Sequence, residues 1–200
     1  MSETGLEELG IHDDSEDEPK TDSAPESKPE SKVVSGELVV GSEEYTRSLI
    51  KALRGITLFD GLLPLHLERI GALVQEAHYK RNAAVFSHGE DGDGLYLIMH
   101  GAVRISRSVS GMGEEALAVL KPGMYFGEMS IVDDDHPRSA DAIAHEDTRL
   151  LRLPKDDLRD LMFVDRELAY ELLWRFVRTL STRLRDSNDR LLMLTVSSKF

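Results

Sequence analysis

The sequence predicts a mainly β fold with flanking helices: a closed or rolled antiparallel sheet in the middle and one long helix after it. Three observations carry this. From about His78 to Leu153, short apolar or alternating runs follow one another between glycine-rich turns, and strands so short and so closely spaced fit an antiparallel barrel or roll. Between Leu173 and Leu194 apolar residues recur at spacings of four and three, the period of a helix with a packing stripe. The chain has 200 residues, 40% of them hydrophobic, enough for one good core with appendages.

Taken in order, the chain begins with an acidic stretch. Up to Glu44 there are 14 acidic and 3 basic residues, a balance of −11, whereas the remaining 23 acidic and 21 basic residues give −2. Rich in Ser, Pro, Glu, Asp and Lys, residues 1–42 cannot bury enough apolar surface to offset the entropy of ordering, and are expected to be a disordered tail. That tail reads as an interaction or phosphorylation segment, or as a solubilising leader. The run Glu37-Leu38-Val39-Val40 is the short apolar interruption in it. The chain has no cysteine, which excludes disulfides, thiolate catalysis and Cys-based metal sites. Nothing resembles a signal peptide, and no apolar run approaches the roughly 18 residues that cross a bilayer. A cytoplasmic location without a membrane partner is expected.

The folded part divides into residues 43–164, a β-roll with N-terminal helices, and residues 165–200, the long helix. Ser42-Glu43-Glu44 starts a first helix that puts Tyr45, Leu49, Leu53 and Ile56 on one face. Pro64 opens a second, expected to run on to Ala77 with Leu67, Ile70, Leu73 and Val74 inward. The strands are Ala83 to Phe86, Leu95 to Met99, Val103 to Ser106, Glu115 to Leu120 after the hairpin Ser110-Gly111-Met112-Gly113, Ala140 to Ala144, and Thr148 to Leu153. His66 and His78 stand alone, without a second ligand at metal spacing. Asp91-Gly92-Asp93-Gly94 lacks the downstream Glu of a calcium loop and reads as a strand turn. Asp133-Asp134-Asp135-His136 reads as a solvated loop, so no metal site is expected.

One stretch, Pro122 to Ala142, concentrates phosphate-handling chemistry. Gly127 has no Cβ, so its backbone can adopt positive φ and approach a ligand, and successive N–H groups in such a turn form an anion-binding concavity. Arg138 offers a planar, permanently charged fork for two phosphate oxygens, and Ser139 adds a hydroxyl donor. Glu128 when ionised only accepts, which suits a sugar hydroxyl rather than the phosphate. The set describes a ribose cyclic phosphate better than a free phosphate.

This stretch resembles the phosphate-binding cassette of the cyclic nucleotide-binding domain family, shared by the bacterial catabolite activator protein, the regulatory subunits of cAMP-dependent protein kinase and the cyclic nucleotide-gated channels. The family pattern is a Gly-Glu pair and, about ten residues later, an Arg followed by Ser, Ala or Thr and then Ala; Gly127-Glu128 and Arg138-Ser139-Ala140 fit it. The Arg-Ser-Ala form is similar to the catabolite activator version. The resemblance covers about Leu58 to Leu194 and places Gly89, Gly101 and Gly123 at strand turns. It implies a jelly-roll-like cyclic nucleotide-binding β-roll, with Glu128 on the ribose 2′-hydroxyl, Arg138 and Ser139 on the cyclic phosphate, and Phe126, Gly127, Met129, Ser130 and Ala140 lining the cradle.

In the long helix the seam is Leu173, Val177, Leu180, Leu184, Ser187, Leu191 and Leu194, with one polar interruption. Part of this helix is expected to pack on the roll and part to pair with a second copy. By resemblance, Ser187-Asn188 falls where the catabolite activator protein uses a hydroxyl pair on its dimer helix to contact adenine; alternatively Ser187 sets register in a coiled coil. Trp174 and Phe176 read as core residues. Arg175, Arg178, Arg183, Arg185 and Arg190 are interleaved with Asp186 and Asp189 and read as a solvated face.

No segment supplies the basic recognition helix of the family's transcription factors, and an acidic chain opposes a phosphate polyanion, so no DNA partner is expected. No Ser/His/Asp or paired-carboxylate arrangement stands outside the cassette, so neither catalytic residues nor a cofactor is expected. The expected function is a cyclic nucleotide sensor, cAMP first and cGMP second, that homodimerises through its C-terminal helix and signals to an unidentified protein partner. The alternatives are a ligand-independent adaptor on the same fold and a sensor of a cyclic dinucleotide.

Overall fold

The structure, a computed structural model, describes residues 43–197 except 110, 112 and 134. The acidic tail, Ser110 and Met112 of the hairpin, Asp134, residues 198–200 and the side chains of Val109 and of residues 194–197, Leu194 among them, lie outside what is described. Helices α1 (Glu43–Leu53) and α2 (Pro64–Gly71) precede eight strands, β1 (Gln75–Tyr79), β2 (Ala84–Phe86), β3 (Gly94–His100), β4 (Val103–Val109), β5 (Gly113–Leu120), β6 (Tyr125–Phe126), β7 (Asp141–Ala144) and β8 (Thr148–Pro154). A one-turn helix α3 (Met129–Val132) lies between β6 and β7, and α4 (Lys155–Val164) and α5 (Arg166–Ser197) close the chain.

The strands form two four-stranded sheets, ordered β1-β8-β3-β6 and β2-β7-β4-β5, with antiparallel pairings throughout. This is the expected roll. Strand β3 shows why its sequence reads as an unbroken apolar run. Side chains alternate across a strand; here Leu95 and Leu97 enter an aliphatic cluster beneath the helices, while Tyr96 and Ile98 enter a second cluster inside the roll with Phe86, Phe126, Val103, Leu120, Ala142 and Leu150. Gly89, Gly101 and Gly123 all have positive φ, as turns between strands require.

Two segments depart from the sequence reading. α2 stops at Gly71, and Gln75 to Tyr79 form β1 instead of continuing the helix. Leu73 and Val74 still pack against the core, as a helical period would also have placed them, but full antiparallel pairing from Gln75 opposite Arg152 to Tyr79 opposite Thr148 decides for a strand. Tertiary pairing outweighs local propensity here. The first helix likewise ends at Leu53; Ile56 is buried after it. His66, read as a lone histidine, is buried with its Nε2 3.6 Å from Asp165 Oδ2.

α5 has two unlike faces. Leu168, Leu172 and Phe176 are buried in the aliphatic cluster, and one turn further Thr179 Oγ1 accepts the Tyr125 hydroxyl at 2.7 Å. On the other side Tyr170, Leu173, Trp174, Val177, Leu184 and Leu191 are exposed. Phe176 is therefore core, as expected, but Trp174 is not: half-exposed, it meets only Tyr170 edge-on among ring partners. Asp165 opens this helix, its Oδ1 accepting the Leu168 amide at 3.1 Å, the bond an N-cap makes. Among the described residues no helix is long and apolar enough to cross a membrane.

Candidate functional site

The cassette is built by a strand, a glycine turn and one turn of helix. β6 buries its two aromatic rings on opposite faces, Tyr125 beneath the helices and Phe126 inside the roll, where it stacks on Tyr96 at 5.3 Å and offers a site its backbone rather than its ring. Gly127 follows with φ +84°, and a Cβ there would stand 2.7 Å from Arg138 Nη1 and 2.9 Å from the Gly94 carbonyl. Both the dihedral and the space demand glycine. Glu128 then precedes α3, and the Ser130 hydroxyl donates back to the Gly127 carbonyl at 2.9 Å.

Arg138 is brought in by the segment before β7. Its backbone is fixed by reciprocal bonds to the turn before β3, Arg138 N to Glu90 O at 2.8 Å and Gly89 N to Arg138 O at 2.9 Å. The guanidinium, only 5% exposed, lies over the Phe86 ring, 4.0 Å from its centroid, a favourable cation–π placement. Nη1 donates to Gly127 O at 3.2 Å and Ser130 Oγ at 3.1 Å, and Nη2 to Gly94 O at 2.9 Å and Asp93 Oδ1 at 3.0 Å. Asp93, read from the sequence as a turn residue, is thus the counter-charge of the cassette arginine. It also accepts the Tyr96 hydroxyl at 3.0 Å and stands 3.4 Å from Arg152 Nε. Burial, reinforced by the Asp93 charge, holds the Tyr96 phenol protonated well above the usual tyrosine range, so it remains a donor to that carboxylate.

Glu128 is 2% exposed and its Oε1 accepts Arg183 Nη1 of α5 at 2.5 Å. A second nitrogen of Arg183 donates to the Tyr125 carbonyl at 2.8 Å. Arg183 was expected on a solvated face; it instead ties the long helix to the cassette. Seven residues on, Arg190 donates to the Leu117 carbonyl on β5. Ser187, four residues after Arg183 and three before Arg190, shares their helix stripe.

The structure thus brings Gly127, Glu128, Ser130 and Arg138 together at one cradle. Ala140 is buried beside Arg138, whereas Ser139 is exposed, its hydroxyl 3.7 Å from Met129 Sδ, and Met129 is also exposed. Ser187 lies on the exposed part of the stripe, and Asn188 is exposed beside it. Sequence reasoning missed Asp93 and Arg183. The first is 45 residues from its partner with no local signal; the second was legible only as the residue one turn before Ser187. The described residues hold no cluster of three or more potential metal ligands. A surface concavity of about 380 Å³ lined by residues including His78, Lys80, His100, Asp147 and Arg149 shares no residue with the cassette, and its Lys80 and Asp147 pair with each other at 2.8 Å.

A β-roll in which a buried carboxylate follows a glycine turn and a buried arginine packs against that turn has the form of a ligand-binding regulatory module of the cyclic nucleotide type. The chain belongs to the cyclic nucleotide-binding domain family: that family's profile matches residues 76–165. The chain is 37% identical over 147 residues to the cyclic AMP receptor protein of Thermus thermophilus, covering 72% of this chain and 64% of that protein. It is 33% identical over 134 residues to a CRP-like cAMP-activated global transcriptional regulator of Mycobacterium tuberculosis, covering 67% of this chain and 58% of that one. It therefore spans less than two thirds of either relative. Among solved structures, the N-terminal domain of a transcriptional regulator from Streptomyces coelicolor A3(2) matches with a TM-score of 0.58 and 33% identity, covering 70% of this chain and 94% of that domain.

Proposed function

We propose that the chain is a cyclic nucleotide sensor, binding cAMP in preference to cGMP, that homodimerises through α5 and signals by repositioning that helix. The observation that carries this reading is the pair of buried ionic residues on either side of Gly127: Arg138 for a cyclic phosphate and Glu128 for a ribose hydroxyl. A carboxylate has two oxygens and about four acceptor sites, so Glu128 accepts from Arg183 and from a ribose together. An incoming phosphate competes with Asp93 for Arg138 and so loosens the tie to the turn before β3. Ligand that contacts both the cassette and the Ser187 stripe favours one helix position by its differential contacts. The exposed apolar face of α5 is where a second copy pairs.

Isothermal titration with cAMP, with cGMP and cyclic dinucleotides in parallel, tests this. Micromolar or tighter binding of cAMP is expected, weakened by Arg138→Ala by about 2–5 kcal/mol, as for removal of one partner of a buried charge pair. No heat with any of them, in folded protein free of co-purified nucleotide, overturns it. A second reading, an adaptor that needs no ligand, is favoured by one observation: both terminal nitrogens of Arg138 already have protein acceptors. The same titration separates the two.

A further inference from the structure

The short helix of the cassette is held at both ends by arginines from different parts of the chain. At its start, Ser130 Oγ accepts Arg138 Nη1 and donates to Gly127 O. At its end, Ile131 O accepts two bonds from Arg159 of α4, from Nε at 2.9 Å and Nη2 at 2.8 Å. The last carbonyls of any helix lack partners within it, and in one turn of helix few amides are available: Ile131 N bonds Glu128 O, and Asp133 N bonds Met129 O. Arg159 supplies donors for Ile131 from outside, in a fork that a lysine cannot reproduce. Arg159 follows Leu158, fully buried in the aliphatic cluster with Ile131, Leu168 and Leu172. α4 itself leads directly to Asp165, the residue that caps α5.

We infer that Arg159 is a positioning residue that passes occupancy of the cassette to α5 by way of α4, alongside the direct tie from Glu128 to Arg183. The inference rests on the sensor reading above. Any displacement of the Arg138 guanidinium moves Ser130, and with it α3; the Arg159 fork makes α4 follow the far end of α3, and α5 follows α4 through Asp165. Among the described residues, the hydrogen bonds of Arg159 to the cassette go to the Ile131 carbonyl and not to Arg138 or Glu128; its role is transmission, separable from affinity.

The chain carries its own reporter. Its one tryptophan, Trp174, is half-exposed on α5, so its emission follows that helix while calorimetry follows binding. In full-length Arg159→Lys, which keeps charge and most of the volume, cAMP is expected to bind within about threefold of wild type while the ligand-induced change in Trp174 emission falls by about half or more, a coupling loss of the size seen for residues between sites. Arg159→Ala should reduce the change further, the remainder passing directly from Glu128 to Arg183. Equal amplitudes in wild type and Arg159→Lys overturn the inference, as does a loss of affinity beyond about tenfold with amplitude retained, which would make Arg159 a prop of the site. Wild-type protein that binds cAMP without any change in Trp174 emission overturns it too. Absence of binding to wild type counts instead against the sensor reading.

Discussion

The two faces of α5 are made of similar residues and do opposite things. Leu168, Leu172 and Phe176 are sealed into the core cluster beneath the helices, while Leu173 and Val177 beside them and Leu184 about two turns further on are 43%, 52% and 63% exposed. Side chain chemistry does not distinguish the two sets; helix phase does. The roll-facing stripe continues past Phe176 into polar contacts, Thr179 to the Tyr125 hydroxyl and Arg183 to Glu128, so the helix is packed where it begins and hydrogen-bonded where it passes the cassette. The outer stripe has no such change of character, remaining apolar through Leu184 and Leu191. One face of the helix is thus committed to the roll, and the other is exposed, which is the face on which the proposed pairing rests.

Substitutions on the two faces test that contrast. Phe176→Ala should have the largest effect on folding, about 3–5 kcal/mol, seen as a fall in the denaturant midpoint; a change below about 1 kcal/mol would mean that this stripe is not core. Arg183→Ala should cost about 1.5–3 kcal/mol, because it leaves the buried Glu128 carboxylate without its charged donor. Thermal unfolding with and without cyclic nucleotide separates that folding cost from any binding cost. Leu184→Ala should alter unfolding by no more than about 0.5 kcal/mol, yet Leu184→Asp should prevent the proposed pairing of two copies and leave a monomer in sedimentation. Persistence of the dimer would remove the outer stripe as its seam.

The smallest effect concerns pH. The Leu168 amide, together with Arg69 and His66, holds the Asp165 carboxyl below the usual range against the opposing effect of burial. A lowered folded-state pKa adds stability that is fully present above the ordinary carboxylate value of about 3.9 and is lost as pH falls through the lowered one. Acid denaturation of Asp165→Asn should therefore begin from lower stability near neutrality but show a shallower decline on the acid side. An unchanged slope would remove Asp165 from that role.

Much of this was legible in the sequence because it depends on local constraints. Gly127 had to be glycine for its own dihedral, and Gly127-Glu128 and Arg138-Ser139-Ala140 sit in one stretch, so their types and spacing could be read together. The six expected strands were found, punctuated by turns that glycine makes possible. What was not legible depends on partners distant in sequence. Asp93 became the counter-charge of Arg138 only when β3 was placed beside the cassette, and β1 became a strand only because β8 was there to pair with it. Trp174 and Phe176, two residues apart, looked equally suited to the core; the roll buries only one because it touches only one face.

Strand β3 carries one more consequence. Its residues line both hydrophobic clusters in alternation, Leu95 and Leu97 on one side, Tyr96 and Ile98 on the other, and it is hydrogen-bonded to β8 and β6 along its two edges. At its centre, from Leu95 to Ile98, no local opening can free the amides without breaching a cluster, so these should exchange with solvent only through the deepest openings of the domain. The cassette is attached to this strand through β6, which makes the least yielding part of the molecule the reference for the helix movement proposed above.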